Sequence, residues 1–462
     1  MPSRFAENFA TFAFRNSIPL IRFDAVQNFS FVVKPRQLSF SDDQLETLQR
    51  LTFNFFLKET NPENGLVPDS TREGTPSSIT ATGFALATYP VGVERKFLTR
   101  NDAIKRTLTT LRFFWNSPHG PEPDATGYKG FYYHFLDMKT GRRAWDSELS
   151  TIDSTFLIAG ALTAAEYFNR DTEDEREIRE LVGAIYARAD WQWAANGKET
   201  VTHGWKPESG FIRYRWQGYN EALLLYILGL ASPTYPLSTS SYDAWTRTYK
   251  WRKLYGYEFL YAGPLFIHQL SHMWIDFRGI QDECMRKRGL DYFENSRRAT
   301  YIQQQYAIRN TRGFKGYAEY IWGLTASDGP GPARKRVENK LRRFYDYKAR
   351  AVPNGPDDGT LAPWAVVASL PFAPEIVLPS LMYFDEAFPE MTSKYGFKCS
   401  FNPTFPEASG KEWISKGYYG LDQGPIVLMI ENYRSGFLWQ LMRRCPFIID
   451  GLRRAGFTGG WL

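Results

Sequence analysis

Five acidic residues stand where a carboxyl group could give or take a proton. Asp146, Glu148 and Asp153 fall within Arg143-Ala-Trp-Asp-Ser-Glu-Leu-Ser-Thr-Ile-Asp153, where a loop enters a helix beginning near Ser150. Glu221 closes Trp216-Gln-Gly-Tyr-Asn-Glu221 and opens the helix carrying Ala222-Leu-Leu-Leu-Tyr226. Asp422 lies in Gly417-Tyr-Tyr-Gly-Leu-Asp-Gln-Gly-Pro425, with Pro425 suited to the first position of the next helix. Each acid precedes or opens a helix. In a barrel of helical hairpins the loops at one end converge on a common mouth, so acids distant in sequence can meet there. Two carboxyl groups across a glycosidic bond can hydrolyse it: one protonates the leaving oxygen, the other activates water or attacks carbon. Aromatic and glycine neighbours favour the protonated form of such an acid. The same residues also suit a structural role, since acids at helix N-termini satisfy free N–H groups and the helix dipole, stabilising by ~0.3–1 kcal/mol each. Spacing does not decide between the two.

The elements that must position these residues are helices. Ser41 with Gln44 reads as a capping box, and Leu45, Leu48, Leu51 and Phe55 follow at helical spacing. Thr99 and Asp102 open another helix, with Ile104, Leu108, Leu111 and Phe114 on one face. Further helical stretches read at 77–88, 150–168, 174–195, 219–229, 262–274, 289–310, 363–371, 374–386 and 425–442. Long loops rich in Gly, Pro and aromatic residues separate them at 116–130, 203–218, 326–334 and 352–363. Two contain strand-like runs: Phe131-Tyr-Tyr-His-Phe-Leu136, leading into a Lys139-Thr-Gly-Arg142 turn, and Gly210-Phe-Ile-Arg-Tyr-Arg-Trp216. The expected organisation is an N-terminal arm over 1–40, with short β-like runs such as Phe29-Ser-Phe-Val-Val33, followed by one all-α domain over 41–462. Loops of more than ~12 residues in a compact domain are usually functional.

Composition removes several classes of function. With 43% hydrophobic residues and 14 Trp, 27 Tyr and 35 Phe, the chain is globular. Its aromatic residues fit a packed core and a cleft lined with flat faces alike. The net charge of +6 is spread over short groups such as Arg142-Arg143 and Arg443-Arg444, which argues against nucleic acid as a partner. Cys284, Cys399 and Cys445 form no CxxC pair, so neither a disulfide framework nor a zinc site is expected. His268 and His272 fall four apart, but Gln269 stands where the zinc-hydrolase pattern HExxH requires Glu. No Walker, dinucleotide or Gly-x-Ser-x-Gly pattern occurs. No cofactor or metal is expected. No stretch approaches the ~20 apolar residues of a membrane span. The first residues lack a signal-peptide core, so the chain as it stands reads as cytoplasmic, or as periplasmic or secreted if a leader was removed.

Several phrases together go further. Asn64-Gly-Leu-Val-Pro-Asp-Ser70 with Ser77-Ser-Ile-Thr-Ala-Thr-Gly-Phe84, Trp145-Asp-Ser-Glu-Leu-Ser-Thr-Ile-Asp153, Gly218-Tyr-Asn-Glu-Ala222, Ser271-His-Met-Trp-Ile-Asp-Phe-Arg278, and Gly420-Leu-Asp-Gln-Gly-Pro425 to Met429-Ile-Glu-Asn-Tyr-Arg434 occur in order. Over roughly residues 45–445 the chain resembles the glucoamylase-like family, which includes glycoside hydrolase family 144 and a region of cyclic β-1,2-glucan synthases. The resemblance implies an (α/α)6 barrel and inverting hydrolysis of β-1,2-glucan or its oligosaccharides, endo-acting or sophorose-releasing. It implies Glu221 as general acid. Asp422 is the first choice for the base, with Asp146, Glu148 and Asp153 as competitors. Trp145, Trp205, Tyr219 and Trp274 are the expected sugar-contacting aromatics, with His272, Asp276 and Arg278 as further substrate contacts. The missing signal pattern departs from many secreted relatives and favours shorter oligosaccharides, or a trimmed leader. A hydrolase, phosphorylase or transglycosylase on another glycan, and a non-catalytic glycan-binding protein, are the alternatives.

Overall fold

Apolar residues in this chain are distributed in two ways, and the difference sorts the helices into two rings. The computed structural model describes residues 39–462, so the run Phe29–Val33 lies outside the described residues. Helix α1 (Asp42–Lys58) begins at the capping box: the Gln44 backbone N–H donates to the Ser41 hydroxyl at 3.2 Å, and the Ser41 N–H to the Gln44 side chain at 2.9 Å. It buries one stripe. Helix α2 (Ile79–Glu94) is instead buried continuously from Ile79 to Gly92. A helix apolar on all sides belongs inside.

The alternation continues along the chain. Helices α3 (Arg100–Asn116), α5 (Glu173–Arg188), α8 (Thr239–Thr246), α10 (Tyr292–Arg309) and α12 (Pro374–Ala387) join α1 on the outside. Helices α4 (Thr151–Tyr167), α7 (Leu223–Leu230), α11 (Pro363–Ala368) and α13 (Gly420–Arg434) join α2 inside, with two 3-10 turns, Leu265–His268 and Leu270–Met273, between α8 and α10. The short α6 (Trp191–Ala195) and α9 (Glu283–Arg286) fill connections, and α14 (Phe437–Met442) and α15 (Pro446–Arg454) close the chain against α4 and α7.

The inner elements form a closed ring. Helix α2 packs on α4 and α13, α4 on α7, and α11 on α13. The Leu224 N–H donates to Ser271 Oγ at 3.2 Å, and the Gln269 side chain donates to the Ala365 carbonyl at 2.7 Å, which links α7 through the 3-10 turns to α11. Six outer–inner pairs around one ring make an (α/α)6 barrel. At the end where the inner elements begin lies a five-stranded antiparallel sheet of very short strands, Gly127–Tyr128, Phe131–Tyr133, Leu149–Ser150, Gly204–Lys206 and Gly210–Phe211.

Four expected elements differ from those observed. Residues 262–274 are two 3-10 turns, because Gln269 breaks the helix and spends its side chain on Ala365 and Ser369 of α11. Residues 174–195 divide at Asp190, whose carboxylate accepts the Trp193 N–H at 2.9 Å and starts α6. Pro425 lies inside α13, which begins five residues earlier at Gly420; the helix then stops at Gly436, in the left-handed region at φ 66. The run Phe131–Leu136 divides at His134: Phe131–Tyr133 joins the five-stranded sheet and Phe135–Leu136 pairs with Ser77–Ser78, while Leu136 also bridges Arg143 across the expected turn at Lys139–Arg142.

Helices α2 and α4 touch through glycine. A Cβ on Gly160 would lie 1.9 Å from the Gly83 carbonyl oxygen, and one on Gly83 would lie 2.6 Å from the Leu157 Cα. Backbone cannot give way as a side chain can. Gly160→Ala is therefore expected to destabilise by about 3 kcal/mol, read as a lower denaturation midpoint. Gly183→Ala on α5, where a Cβ meets nothing within 4 Å, should be neutral or stabilise by ~0.5–1 kcal/mol.

Candidate active site

The starts of the inner elements converge on one cavity of about 270 Å³, near the lower end of the range for ligand pockets. Ser150, Ile152 and Asp153 come from the start of α4, Glu221 from the turn before α7, Phe266 from the first 3-10 turn, Trp364 from α11 and Leu421 from α13. Helix N-termini carry partial positive charge, so this end of the barrel suits carboxylates. His134, His203, Trp216, Phe156 and Ala326 complete much of the wall.

His134 and two carboxylates organise the charge. Its Nδ1 lies 3.0 Å from Glu148 Oε1 and its Nε2 lies 3.6 Å from Asp153 Oδ1. The His134 backbone N–H donates to the Glu148 carbonyl at 2.9 Å, and the His134 carbonyl accepts from the Ile79 N–H at 3.2 Å, fixing the sheet to the start of α2. Burial works against charge on the ring, but Asp153, Glu148 and the more distant Asp69 outweigh it and push the imidazole up to about 9. The donor atoms of His134, Glu148 and Asp153 all lie within 4.8 Å of one another, which resembles a metal site in composition. Each ring nitrogen points at a different carboxylate, however, so the trio is already satisfied as an imidazolium between two anions.

The acids divide by environment. Asp153 accepts from the Thr80 hydroxyl at 2.6 Å and from the Ser150 hydroxyl, which occupies both of its oxygens. Glu148 is 28% exposed; burial opposes its charge, but the hydrogen bond from His134 holds it below its ordinary range. Its own backbone N–H and the Lys206 charge act in the same direction as His134. Burial pushes Glu221 up to about 7, its own backbone N–H works the other way, and the charge of Asp153 adds to the rise. Asp69 rises to about 6 by burial, against the pull of His134.

Asp422 sits differently. It is 1% exposed in the first turn of α13, outside the cavity lining, and among the described residues neither carboxylate oxygen meets a conventional donor. Burial raises it far above its ordinary value; the Cys399 thiol offers it a hydrogen bond, and Asp69 and Asp328 add repulsion. Asp146 is exposed, with Trp145 before it 62% exposed and both in the left-handed region at φ 47 and 55. The Trp145 ring meets Phe135 edge-on at 5.0 Å, one residue from His134.

Most of the other expected contacts lie in the core. Trp274 is 1% exposed and donates its indole N–H to Thr163. His272 bonds Ser296 at 3.0 Å, and Tyr219 packs on Tyr249, His268 and Tyr292. Burial drives His268 down to about 4 and His272 to about 3, so both are neutral packing residues. Asp276 is wholly buried between Arg278 and Arg443. Trp205, on the sheet, meets the Tyr128 ring at a tilt and the Trp193 ring of α6 edge-on. None of these six lines the cavity. The residues that motif reading missed are His134, Asp69 and His203; His203 lies flat on Trp216 at 3.8 Å. His134 interrupts an otherwise aromatic and apolar strand, which was the available signal. A larger groove of about 950 Å³ lies between the ends of α1 and α2 and the start of α3, but it holds a single carboxyl, Asp102, and so no acid–base pair.

Comparison with known proteins matches this architecture. Residues 213–446 match the family described as "Putative glucoamylase". The crystal structure of a Bacteroides uniformis protein described in the same words is 34% identical, over 91% of this chain and 99% of that one, with a TM-score of 0.80. An endo-β-1,2-glucanase from Chitinophaga pinensis, solved with sophorotriose and glucose, is 26% identical over 91% of this chain and all of that one, also at 0.80. An exo β-1,2-glucooligosaccharide sophorohydrolase (non-reducing end) of Parabacteroides distasonis is 27% identical over 467 residues; the match covers 92% of this chain and 60% of the length of that curated relative. The chain belongs to this glucoamylase-like family.

Proposed function

We propose that this protein hydrolyses β-1,2-linked glucan or its oligosaccharides, with Glu221 as general acid and Glu148 as the base that activates water. The observation that carries the reading is the opposite protonation of these two carboxyls in one cavity. Burial keeps the proton on Glu221 near neutral pH, while His134 keeps Glu148 ionised. Pairs whose environments separate their pKa values are how one site supplies both an acid and a base. Asp153 has both oxygens committed to hydroxyl donors, and Asp422 is enclosed, with burial raising it far above its ordinary range. Both are therefore weaker candidates for the base than Glu148. The linkage follows the two β-1,2-glucan-cleaving relatives, one endo-acting and one exo-acting.

The first experiment is incubation with β-1,2-glucan, β-1,3-glucan and starch, with products separated by length. Products from β-1,2-glucan alone support the reading; release only from another glucan overturns the substrate. Glu221→Gln should lower kcat by ~10²–10⁴-fold while oligosaccharide binding, measured by calorimetry, persists. Activation of water by Glu148 predicts inversion, so NMR of early product should show the α-anomer, and initial β-anomer would sink that assignment. Because Glu221 must carry its proton, kcat/KM should fall as pH rises through about 7. His134→Gln removes the donor that holds Glu148 low, so the acidic limb of the profile should move upward while the limb near 7 stays.

A further inference from the structure

Six cations, Arg334, Lys335, Arg336, Lys340, Arg342 and Arg343, fall in one short stretch of sequence that folds into a two-stranded hairpin. Strands Ala333–Val337 and Lys340–Phe344 pair Arg334 with Arg343, Lys335 with Arg342, and Arg336 with Leu341. The two faces differ. One face carries Ala333, Lys335, Val337, Lys340, Arg342 and Phe344, and it rests on the body: Val337 and Phe344 cluster with Phe405, Lys335 lies over the Phe405 ring, and Arg342 lies over Phe314. The other face carries Arg334, Arg336, Arg343 and Leu341, all exposed, with no acid among them. Glu338, at the turn, pairs with Lys315. Like charges placed directly opposite one another disfavour strand pairing. Charged side chains do protect exposed hairpins from aggregation, but mixed signs would serve that end equally. A single-sign face calls for a partner of the opposite sign.

The hairpin also grows from the wall of the cavity. Its stem pairs Ala326 with Ala349 and Ser327 with Lys348, and Ala326 lines the cavity. Near the stem, Tyr347 packs on Tyr419, two residues before Leu421 of the cavity wall.

We infer that the face formed by Arg334, Arg336 and Arg343 binds anionic groups on the glucan, so that the preferred substrate is an acidic, negatively substituted β-1,2-glucan. The inference rests on the hydrolase reading of the same cavity. The test compares neutral β-1,2-glucan oligosaccharides with a lightly carboxymethylated preparation. Assays use the wild type, the triple variant R334S/R336S/R343S, and a control lacking three distant exposed cations, K58S/K198S/K287S. The quantity read is kcat/KM on the derivative divided by kcat/KM on the neutral glucan, so that any blocking of the cavity by substituents cancels between proteins. The ratio is expected to fall about tenfold from wild type to the triple variant at low ionic strength, the lower end of electrostatic steering. It should converge at high salt, be unchanged in the control, and leave turnover of neutral glucan unaltered. An equal ratio in wild type and triple variant, with neutral glucan cleaved, overturns this inference alone. No cleavage of neutral glucan overturns the hydrolase reading instead. Loss of sedimentation with phosphatidylglycerol vesicles in the triple variant, without any change in the ratio, would make the face a membrane contact and likewise overturn the inference.

Discussion

The contact between Gly83 and Gly160 sets the geometry on which the site depends. Two helices buried on nearly every side must find neighbours on every side, and α2 and α4 do so by bringing backbone against backbone. That approach fixes how their first turns face each other. Thr80, one turn before Gly83, therefore reaches Asp153 at the head of α4. Ser78 and Ser150 cap the two helices in the same way, each accepting an N–H from three residues on. A close-packed interior transmits such constraints because it has few voids to absorb a shift.

The second constraint is charge. Asp69, Glu148, Asp153, Glu221 and Asp422 are far more negative potential than one histidine can balance, so the protein sorts them. Glu148 and Asp153 share the His134 imidazolium. Among the described residues Glu221 and Asp422 form no ion pair, and burial raises both above the ordinary carboxyl range. Asp328 takes a different partner, Arg72, together with the Ser415 hydroxyl. Residue type alone makes these five acids equivalent; their surroundings set them apart.

Much of this was legible in the chain. The capping box at Ser41 and Gln44, the apolar run after Glu221, and the placing of acids ahead of helices all describe local chemistry, and local chemistry survives folding. Glu148, Asp153 and Glu221 meet in the cavity for that reason. Asp422 occupies the same kind of position, yet its first turn is packed against Cys399, a contact set by distant chain. The phrase around Trp274 and Asp276 marks the family without saying which way its residues point. They point into the core, where Asp276 ties Arg278 to Arg443. His134 and Asp69 were not singled out because each becomes notable only through its neighbours from other elements. The cations of the arginine face stand together in the sequence between Arg334 and Arg343, but which of them face outward is set only by the register of the hairpin.

Arg350 and Asp358 are both fully buried and joined by two hydrogen bonds, at 2.7 and 2.9 Å. Arg350 also holds the Ser327 carbonyl at 2.8 Å. These bonds and the stem strands pin both ends of the excursion from Ala326 to Asp358, whatever occupies its tip. Breaking such a buried pair typically costs ~3–5 kcal/mol, so the anchor is stringent while the tip is not. The excursion is built as a replaceable cassette: its outer turn can lengthen, shorten or change sign over evolutionary time, and the barrel and its acids keep their places.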